Sequence, residues 1–244
     1  MNEHFCTRIH LTDIGLLLEP VDMERYEYIR LPVKERWVAV MPSGVVKEKA
    51  MNRPYIFCHM MTSLDGKIMG KYMETPEGAA AGDVFYNISF GKNPYYKHQG
   101  WLSGRITTDD NFTFYEKPEL NEEAAKVPEG DYIAKKTDMY YVSIDPSGRL
   151  GWKSSTLTYI DTTAHVIEVL TEKAANAYKD FLRRLGISYI IAGKDSLDYE
   201  HALTKLKEQF GIETLMLGGG AALNWSFIQA GMCDEVSVVI AAVK

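Results

Sequence analysis

Apolar residues recur at helical and strand spacing, in alternation, through the second half of the chain. Between residues 172 and 185 they fall three and four positions apart, which predicts a helix with one buried face that ends at Gly186. The run ISYIIA, residues 187–192, is typical of a short strand. Asp198 is placed to cap a second helix that ends at Gly211 and carries the apolar stripe Leu203, Leu206 and Phe210.

The alternation continues to the end of the sequence. Residues 214–217 predict a strand, residues 223–230 a helix and residues 235–243 another strand. Strands that alternate with helices pair in parallel, and the helices cover the sheet. The pattern therefore predicts an α/β fold with a central, mostly parallel sheet flanked by helices.

Two further strands are expected in the first half. Residues 55–60, YIFCHM, predict one strand, and in the following MTSLDGK the pair Asp65 and Gly66 favours a turn at the edge of the sheet. Residues 101–111, WLSGRITTDDN, predict a second strand that runs into a flexible turn at Gly104.

Composition places the chain among folded globular proteins. It has 244 residues, 46% of them hydrophobic, and a formal net charge of −6, so a core for one large or two small domains is expected. No apolar stretch approaches the roughly 20 residues that cross a bilayer, and the first residues lack the pattern of a secretion signal. We therefore expect no membrane contact and a cytoplasmic location.

Charge and cysteine content exclude further classes of site. Lys and Arg do not cluster in a stripe, so nucleic acid is not an expected partner. The cysteines Cys6, Cys58 and Cys233 are far apart and form no CxxC pattern, which argues against a disulfide framework and against a metal site. A small anionic ligand in a local basic pocket suits this chain better.

Three consecutive glycines, Gly218, Gly219 and Gly220, separate a predicted strand from a predicted helix. Each glycine costs about 0.5–1 kcal/mol relative to alanine, so bare backbone must be needed there. At a strand-to-helix junction, unpaired N–H groups and the helix dipole attract a phosphate, which would reach the amides of Ala221 and Ala222. A tight turn between packed elements is the alternative, and three glycines in a row favour phosphate binding.

Arg105 and Thr107 follow the strand predicted at residue 101. The guanidinium fork suits a phosphate monoester, and the threonine hydroxyl can donate to another phosphate oxygen. A solvated arginine on a loop is the alternative interpretation.

These stretches, in this order, resemble the dihydrofolate-reductase-like superfamily, and most closely its riboflavin-pathway pyrimidine reductase branch, that of the RibD C-terminal domain. The resemblance covers about residues 54–244 and rests on MTSLDGK, GRIT, SYIIAGKDSLDYEHALTKL and LMLGGGAALNWSFIQAGMCDEVSVVIA. It implies a dihydrofolate-reductase-like three-layer α/β fold with a final antiparallel strand. It also implies an NADPH-dependent reductase.

The resemblance assigns roles to particular residues as expectations. Arg105 would bind the 2′-phosphate that distinguishes NADPH from NADH, and Thr107 would contact another phosphate oxygen. Thr62 would lie beside the nicotinamide, and Ser147 and Arg149 on the adenosine side. The cofactor pyrophosphate would lie on Gly218, Gly219, Gly220, Ala221 and Ala222.

No residue is an unmistakable proton donor for the reduction. The cofactor supplies the hydride, and the protein must orient the acceptor and supply or relay a proton. Asp65, in the motif loop, and Asp83, on a helix predicted in GDVFYNISFGKN, are the two candidates. Turn formation explains Asp65 equally well, and a charge near a helix N-terminus explains Asp83 better.

Some features depart from the family pattern. The branch commonly has glutamate where this chain has Gly218, which leaves the riboflavin intermediate open as a substrate. The H-x-E and P-C-x-x-C motifs of the deaminase that is often fused to such reductases are absent, so deamination is not expected. Residues 116–130 predict a long polar surface excursion. The family continues past VSVVIA with further strands, so we expect an open sheet edge that a partner covers, or a longer native chain.

The first fifty residues are a separate problem. Residues 12–44 resemble a fragment of the effector-binding domain of LysR-type regulators, with a second strand at residues 36–41. Two strands alone are not stable, so this segment must pack on the reductase body, pair with another chain or stay loose. Residues 46–54 are the best linker. We therefore expect an N-terminal extension at residues 1–52 and a reductase domain at residues 53–244.

Two classes of function compete. The first is an NADPH-dependent reductase, like 5-amino-6-(5-phosphoribosylamino)uracil reductase or dihydrofolate reductase, acting on a pyrimidine- or pterin-like heterocycle. The second is a non-catalytic nucleotide-binding or sensor module that keeps the phosphate site without the chemistry. The expected partners are a small heterocyclic substrate and a second copy of the chain in a homodimer.

Overall fold

The computed structural model describes residues 5–12, 15–20 and 52–243, and for the first two ranges only the backbone. The second strand expected at residues 36–41, the linker up to residue 51 and most of the LysR-like stretch lie outside the described residues. The chain divides into two compact units. One comprises Met1–Asn52, Phe57–Tyr96 and Cys233–Lys244, and the other comprises Arg53–Ile56 and Lys97–Met232.

The described residues contain ten strands and five α-helices. The strands are β1 (Phe5–Thr12), β2 (Gly15–Pro20), β3 (Tyr55–Ser63), β4 (Gly100–Gly104), β5 (Tyr140–Ile144), β6 (Thr156–Tyr159), β7 (Thr162–Leu170), β8 (Ser188–Ile191), β9 (Thr214–Leu217) and β10 (Glu235–Ala241). The helices are α1 (Pro76–Phe90), α2 (Arg105–Thr108), α3 (Asn176–Leu185), α4 (Tyr199–Phe210) and α5 (Ala221–Gln229), with a 3₁₀ turn at Lys71–Glu74 and a π-helical turn at Asp109–Thr113.

In the first unit, strand β10 lies between β3 and β1. It runs parallel to β3, with Glu235 opposite Phe57, and antiparallel to β1, with Ile240 opposite Phe5. Strand β2 pairs antiparallel with the other edge of β1. The expectation of a final antiparallel strand is wrong for the pair of β10 with β3, because these two strands are parallel. The expected open edge beside β10 is occupied by β1, so residues 5–12 pair with the last strand of the described chain.

In the second unit, the strands follow the order β9, β4, β5, β7, β6. The pairs of β4 with β9, β4 with β5 and β5 with β7 are parallel, whereas β6 is antiparallel to β7. Strand β8 pairs in parallel with the later residues of β7, from Ile167 to Leu170. The predicted α/β class and the mostly parallel sheet are confirmed.

The sequence patterns explain these elements. Strand β5 is buried throughout and β7 over its last seven residues, as parallel strands covered on both faces require. The helices α3 and α4 end at Gly186 and Gly211, which adopt left-handed φ angles of 69° and 71°. Asp198 caps α4 as predicted, since its carboxylate accepts from the His201 N–H at 2.9 Å. Helix α3 begins four residues later than predicted, at Asn176.

The predicted polar excursion at residues 116–130 is confirmed as a mostly exposed segment without helix or strand. It is nevertheless tied to the second unit. The Asn176 side chain accepts from the Val127 N–H at 2.9 Å, and just beyond the excursion Asp131 accepts from the Ile191 N–H at 2.8 Å. Lys205 also donates to Asp131, at 2.9 Å. Side-chain anchors therefore fix the path of this segment.

Candidate functional site

The glycine loop lies against the end of strand β4. Gly218 N donates to Leu102 O at 2.8 Å, and Gly104 N donates to Gly219 O at 2.9 Å. The predicted order of strand, glycines and helix is thus present, and the Gly219–Gly220 peptide bond is cis. These two hydrogen bonds bring the glycines next to the residues that follow β4.

The three glycines of the loop differ in whether the backbone angle or the local packing requires a glycine. Gly219 has φ +112°, and a Cβ there would meet nothing within 4 Å, so this position needs glycine for its backbone angle. A Cβ on Gly220 would lie 3.2 Å from the Thr107 hydroxyl oxygen, which makes this a close approach. A Cβ on Gly218 would meet only ordinary contacts of 3.5–3.6 Å. Internal packing therefore does not account for Gly218.

The first turn of α5 is open to an anion. Gly220 is the N-cap and provides no side-chain hydrogen bond, and Ala221 and Ala222 are exposed. The first amides of a helix have no partner within it and carry partial positive charge. A diphosphate can therefore be bound by backbone N–H groups alone at this position.

Arg105 and Thr107 lie on the short helix α2, which corrects the expectation of a flexible turn after Gly104. The helical spacing sets Arg105 four residues before Asp109, and Nη1 lies 3.1 Å from Oδ2 of that carboxylate. The arginine side chain remains 35% exposed, whereas that of Asp109 is 8% exposed. A guanidinium has five N–H donors, so this ion pair orients Arg105 and leaves donors for a phosphate.

The loop after β5 carries Ser147 and Arg149 and is rigidly held. The buried carboxylate of Asp145 accepts from the backbone N–H of Leu150 at 2.9 Å and also from that of Arg149. Gly148 has φ +68°, and a Cβ there would lie 2.3 Å from the ring of Tyr178, so only glycine fits. The path of the loop is thus set by contacts beneath it.

Electrostatic effects on Asp145 link this loop to Arg105. Burial raises the pKa of the Asp145 carboxyl, and the two loop amides and the positive charges of Arg105 and Arg149 oppose that rise. Both guanidinium groups therefore act on one buried carboxylate. The second unit brings together the glycine loop, Arg105, Thr107 and the loop that contains Ser147 and Arg149.

Sequence reasoning missed the buried acids beneath this site, Asp109, Asp145 and Glu168. Glu168 is fully buried in β7 and accepts from the Trp152 indole N–H. Burial, followed by the charge of Asp145, raises the pKa of Glu168 well above its usual value, which favours its protonated form. The sequence signal for Glu168 was an acidic residue inside the otherwise mostly apolar run AHVIEVL, residues 164–170.

Thr62 and Asp65 lie in the first unit. Thr62 is a half-buried residue of β3, opposite Ile240 of β10. Asp65 is in the predicted turn, where Ser63 donates to it at 2.6 Å and Lys67 pairs with it at 2.7 Å. The hydrogen bonds from Lys67 and Ser63 lower the pKa of Asp65. A lowered pKa keeps this carboxyl ionised near neutral pH, so that it has no proton to donate, and supports its turn-forming role.

Asp83 is an exposed residue in the middle of α1, eight residues into Pro76–Phe90. The interpretation as a charge near a helix N-terminus is therefore wrong. Thr75 caps this helix, with its hydroxyl accepting from the Gly78 N–H at 3.0 Å, and Glu77 supplies the acidic side chain of the first turn.

Among the described residues, no three or more His, Cys, Asp or Glu side chains are grouped so that they could hold a metal ion. No helix in the described part of the chain has the length and apolar character needed to cross a membrane.

Comparison with protein families finds one matching model, described as the RibD C-terminal domain, over residues 54–243. A 2,5-diamino-6-ribosylamino-4(3H)-pyrimidinone 5′-phosphate reductase of Aquifex aeolicus is 32% identical over 76 residues, 31% of this chain and 34% of that protein. The protein of the same name from Methanothermobacter thermautotrophicus is 44% identical over 52 residues, 21% of this chain and 24% of that protein. The chain thus spans about a third or less of these curated relatives.

Solved structures give weaker likenesses. RibD of Acinetobacter baumannii has a TM-score of 0.48 at 17% identity, over 79% of this chain and 47% of that chain. The riboflavin biosynthesis reductase Rib7 of Saccharomyces cerevisiae has a TM-score of 0.47 at 17% identity, over 79% and 75%. A pyrimidine reductase-like protein of Corynebacterium diphtheriae has a TM-score of 0.49 at 14% identity, over 79% and 76%.

Proposed function

The chain belongs to the RibD C-terminal domain family, and from that premise we propose that residues 53–244 form an NADPH-dependent reductase of a flat heterocycle. The acceptor is a pyrimidine of the ribosylaminouracil type or a pterin-like ring. The names of the two curated relatives support the pyrimidine class. A homodimer and a cytoplasmic location belong to the same proposal.

The contact between the glycine loop and β4 supports this function most. The Gly104 to Gly219 hydrogen bond sets the uncapped first turn of α5 beside Arg105 and Thr107. We assign the pyrophosphate to Gly218–Ala222 and Thr107, and the 2′-phosphate to Arg105. We assign the adenosine side to Ser147 and Arg149, and the nicotinamide to Thr62.

The protein's share of the chemistry is binding and orientation. When bound, NADPH supplies a hydride from its nicotinamide. Backbone amides of the glycine loop and Arg105 neutralise the phosphates. Asp109 orients Arg105, and Asp145 holds the loop that carries Ser147 and Arg149. Asp65 and Asp83 remain the proposed proton sources, and the lowered pKa of Asp65 keeps its carboxyl ionised near neutral pH, without a proton to give.

A non-catalytic nucleotide-binding module is the second candidate. The observation that favours it is the ion pair that keeps Asp65 ionised, because a reductase needs a proton source near its acceptor. The phosphate site would be the same in both cases.

Calorimetric titration with NADPH and NADH, followed by an NADPH oxidation assay, tests the proposal. The acceptor is 2,5-diamino-6-ribosylamino-4(3H)-pyrimidinone 5′-phosphate. Tighter binding of NADPH than of NADH, with oxidation that depends on this acceptor, is the expected result. Binding without oxidation would support the module, and uptake of neither coenzyme would refute both functions.

A further inference from the structure

Two consecutive aromatic residues after α2 adopt an uncommon backbone conformation. Phe114 has φ 51° and Tyr115 has φ 61°, and both follow the π-helical turn Asp109–Thr113. Left-handed angles are unfavourable for bulky side chains because the Cβ approaches the following carbonyl oxygen. Phe114 ends the turn with its N–H on Asp109 O at 2.7 Å, a position where glycine is usual.

Burial does not compensate for this conformation. Phe114 is 70% exposed and Tyr115 is 63% exposed. Two strained residues that present aromatic rings to solvent gain little from the folded core. Strain of this kind is found at sites that bind ligands, where the backbone is held to aim a side chain.

An exposed carboxylate is fixed beside these rings. The Tyr115 hydroxyl donates to Asp110 Oδ1. This hydrogen bond, with the charges of Asp110 and Asp109, raises the pKa of Tyr115, so the phenol remains a donor. A carboxylate has about four acceptor positions, and one hydrogen bond leaves Asp110 able to accept more.

The same segment adjoins the proposed cofactor site. It follows directly on the helix that carries Arg105 and Thr107, and the charge of Arg105 acts on the Tyr115 hydroxyl. All of these residues belong to the second unit. The exposed, negatively charged carboxylate of Asp110 favours contact with N–H donors of a ligand.

We propose that Asp110, Phe114 and Tyr115, here named the aromatic shelf, bind the acceptor as a flat heterocycle that carries amino groups. Its ring stacks on the aromatic side chains, and its amino N–H groups donate to Asp110. This inference rests on the proposed reductase function and adds the chemistry by which that site selects its acceptor.

The test compares glycine substitutions at two strained, exposed positions. Ile160 has φ 52° and is 60% exposed, so it matches Tyr115 in conformation and exposure but lies between β6 and β7. Tyr115→Gly and Ile160→Gly should both raise the Tm, because each relieves a left-handed side chain. Only Tyr115→Gly should weaken ligand binding.

The probes are 2,4-diaminopyrimidine and unsubstituted pyrimidine, titrated by NMR with and without NADPH. Wild type and Ile160→Gly should prefer the diamino probe, and Tyr115→Gly should bind it about tenfold more weakly, the scale of one aromatic stack. Asp110→Asn should lose the preference and retain binding of both probes. Equal affinity of Tyr115→Gly and wild type, or no binding of the diamino probe to wild type, would overturn the shelf.

A separate NADPH titration distinguishes the two proposals. Wild type, Tyr115→Gly and Ile160→Gly should bind NADPH equally, since the aromatic shelf is assigned to the acceptor. Failure of wild type to bind NADPH counts against the reductase function. In that case the probe titrations without NADPH still test whether the aromatic shelf binds an amino-substituted ring. Loss of NADPH binding in Tyr115→Gly alone would assign the ring to the cofactor and refute the inference.

Discussion

Arg105 is the residue on which coenzyme choice depends in this proposal. Arg105→Ala should weaken NADPH binding by about 1–3 kcal/mol, the range for hydrogen bonds to charged groups. NADH lacks the 2′-phosphate, so its affinity should hardly change. Calorimetry with both coenzymes measures the difference.

Arg184→Ala is the matched control, because Arg184 also pairs with a carboxylate four residues away, Asp180, at 2.8 Å. It should alter neither coenzyme. Equal losses for NADPH and NADH in Arg105→Ala would remove Arg105 from its assigned role.

Glu168 gives the stability of the fold a particular pH dependence. Its pKa in the folded protein lies well above the unfolded value of about 4.3. The folded state therefore keeps a proton that the unfolded chain releases as the pH rises above that value. The contribution of Glu168 to stability is complete in acid and falls as the pH rises towards the folded pKa.

Glu168→Gln should remove that decline. The variant should gain stability over wild type as the pH rises from about 4 to about 8, because glutamine has no proton to release when the chain unfolds. Urea unfolding at a series of pH values measures this gain. The exposed Glu122→Gln is the control, and parallel profiles for Glu168→Gln and wild type would contradict the prediction.

At the scale of elements, substitutions at two positions of the glycine loop should affect different properties, cofactor binding at Gly218 and stability at Gly219. Gly218→Ala should fold normally, because its Cβ has room, and should weaken NADPH by obstructing the phosphate. Gly219→Ala should instead destabilise the protein by about 1–2 kcal/mol, because φ +112° is unfavourable for alanine. Denaturant unfolding and NADPH titration of both variants give the two readouts. Normal NADPH affinity in a folded Gly218→Ala would argue against a phosphate there.

Local periodicity was enough to predict the elements from α3 to β10. Each depends on residues close in sequence, such as Asp198 capping α4 and Gly211 ending it. The pairing of β1 with β10 joins residues more than two hundred positions apart, and no local pattern encodes it. The helical turn at Arg105 was missed because its four residues are too few to show a period. The glycine loop was predicted as a phosphate site from its sequence alone. Its contact with β4 joins residues more than a hundred positions apart and could be seen only in the structure.

At the scale of the whole molecule, β1 protects an edge of the sheet. Deleting residues 1–20 leaves the β10 edge without this partner, and exposed strand edges pair with other chains. The truncated protein should be less stable and should self-associate. Size-exclusion chromatography and hydrogen exchange of the β10 amides measure these effects.

An internal comparison is available for that deletion. The amides of β5, which lies between β4 and β7 in the second unit, should keep their protection from exchange. Unchanged mass in solution and unchanged exchange of β10 would show that β1 is dispensable.

The register of β1 and β10 also indicates how the chain could be circularly permuted. Phe5 faces Ile240 directly, so their Cα atoms are about 5 Å apart. A short linker could join the chain at Phe5 covalently to the chain at Ile240. New termini could then be cut within the exposed polar stretch at residues 116–130, which would give a circular permutant with the same strand neighbours.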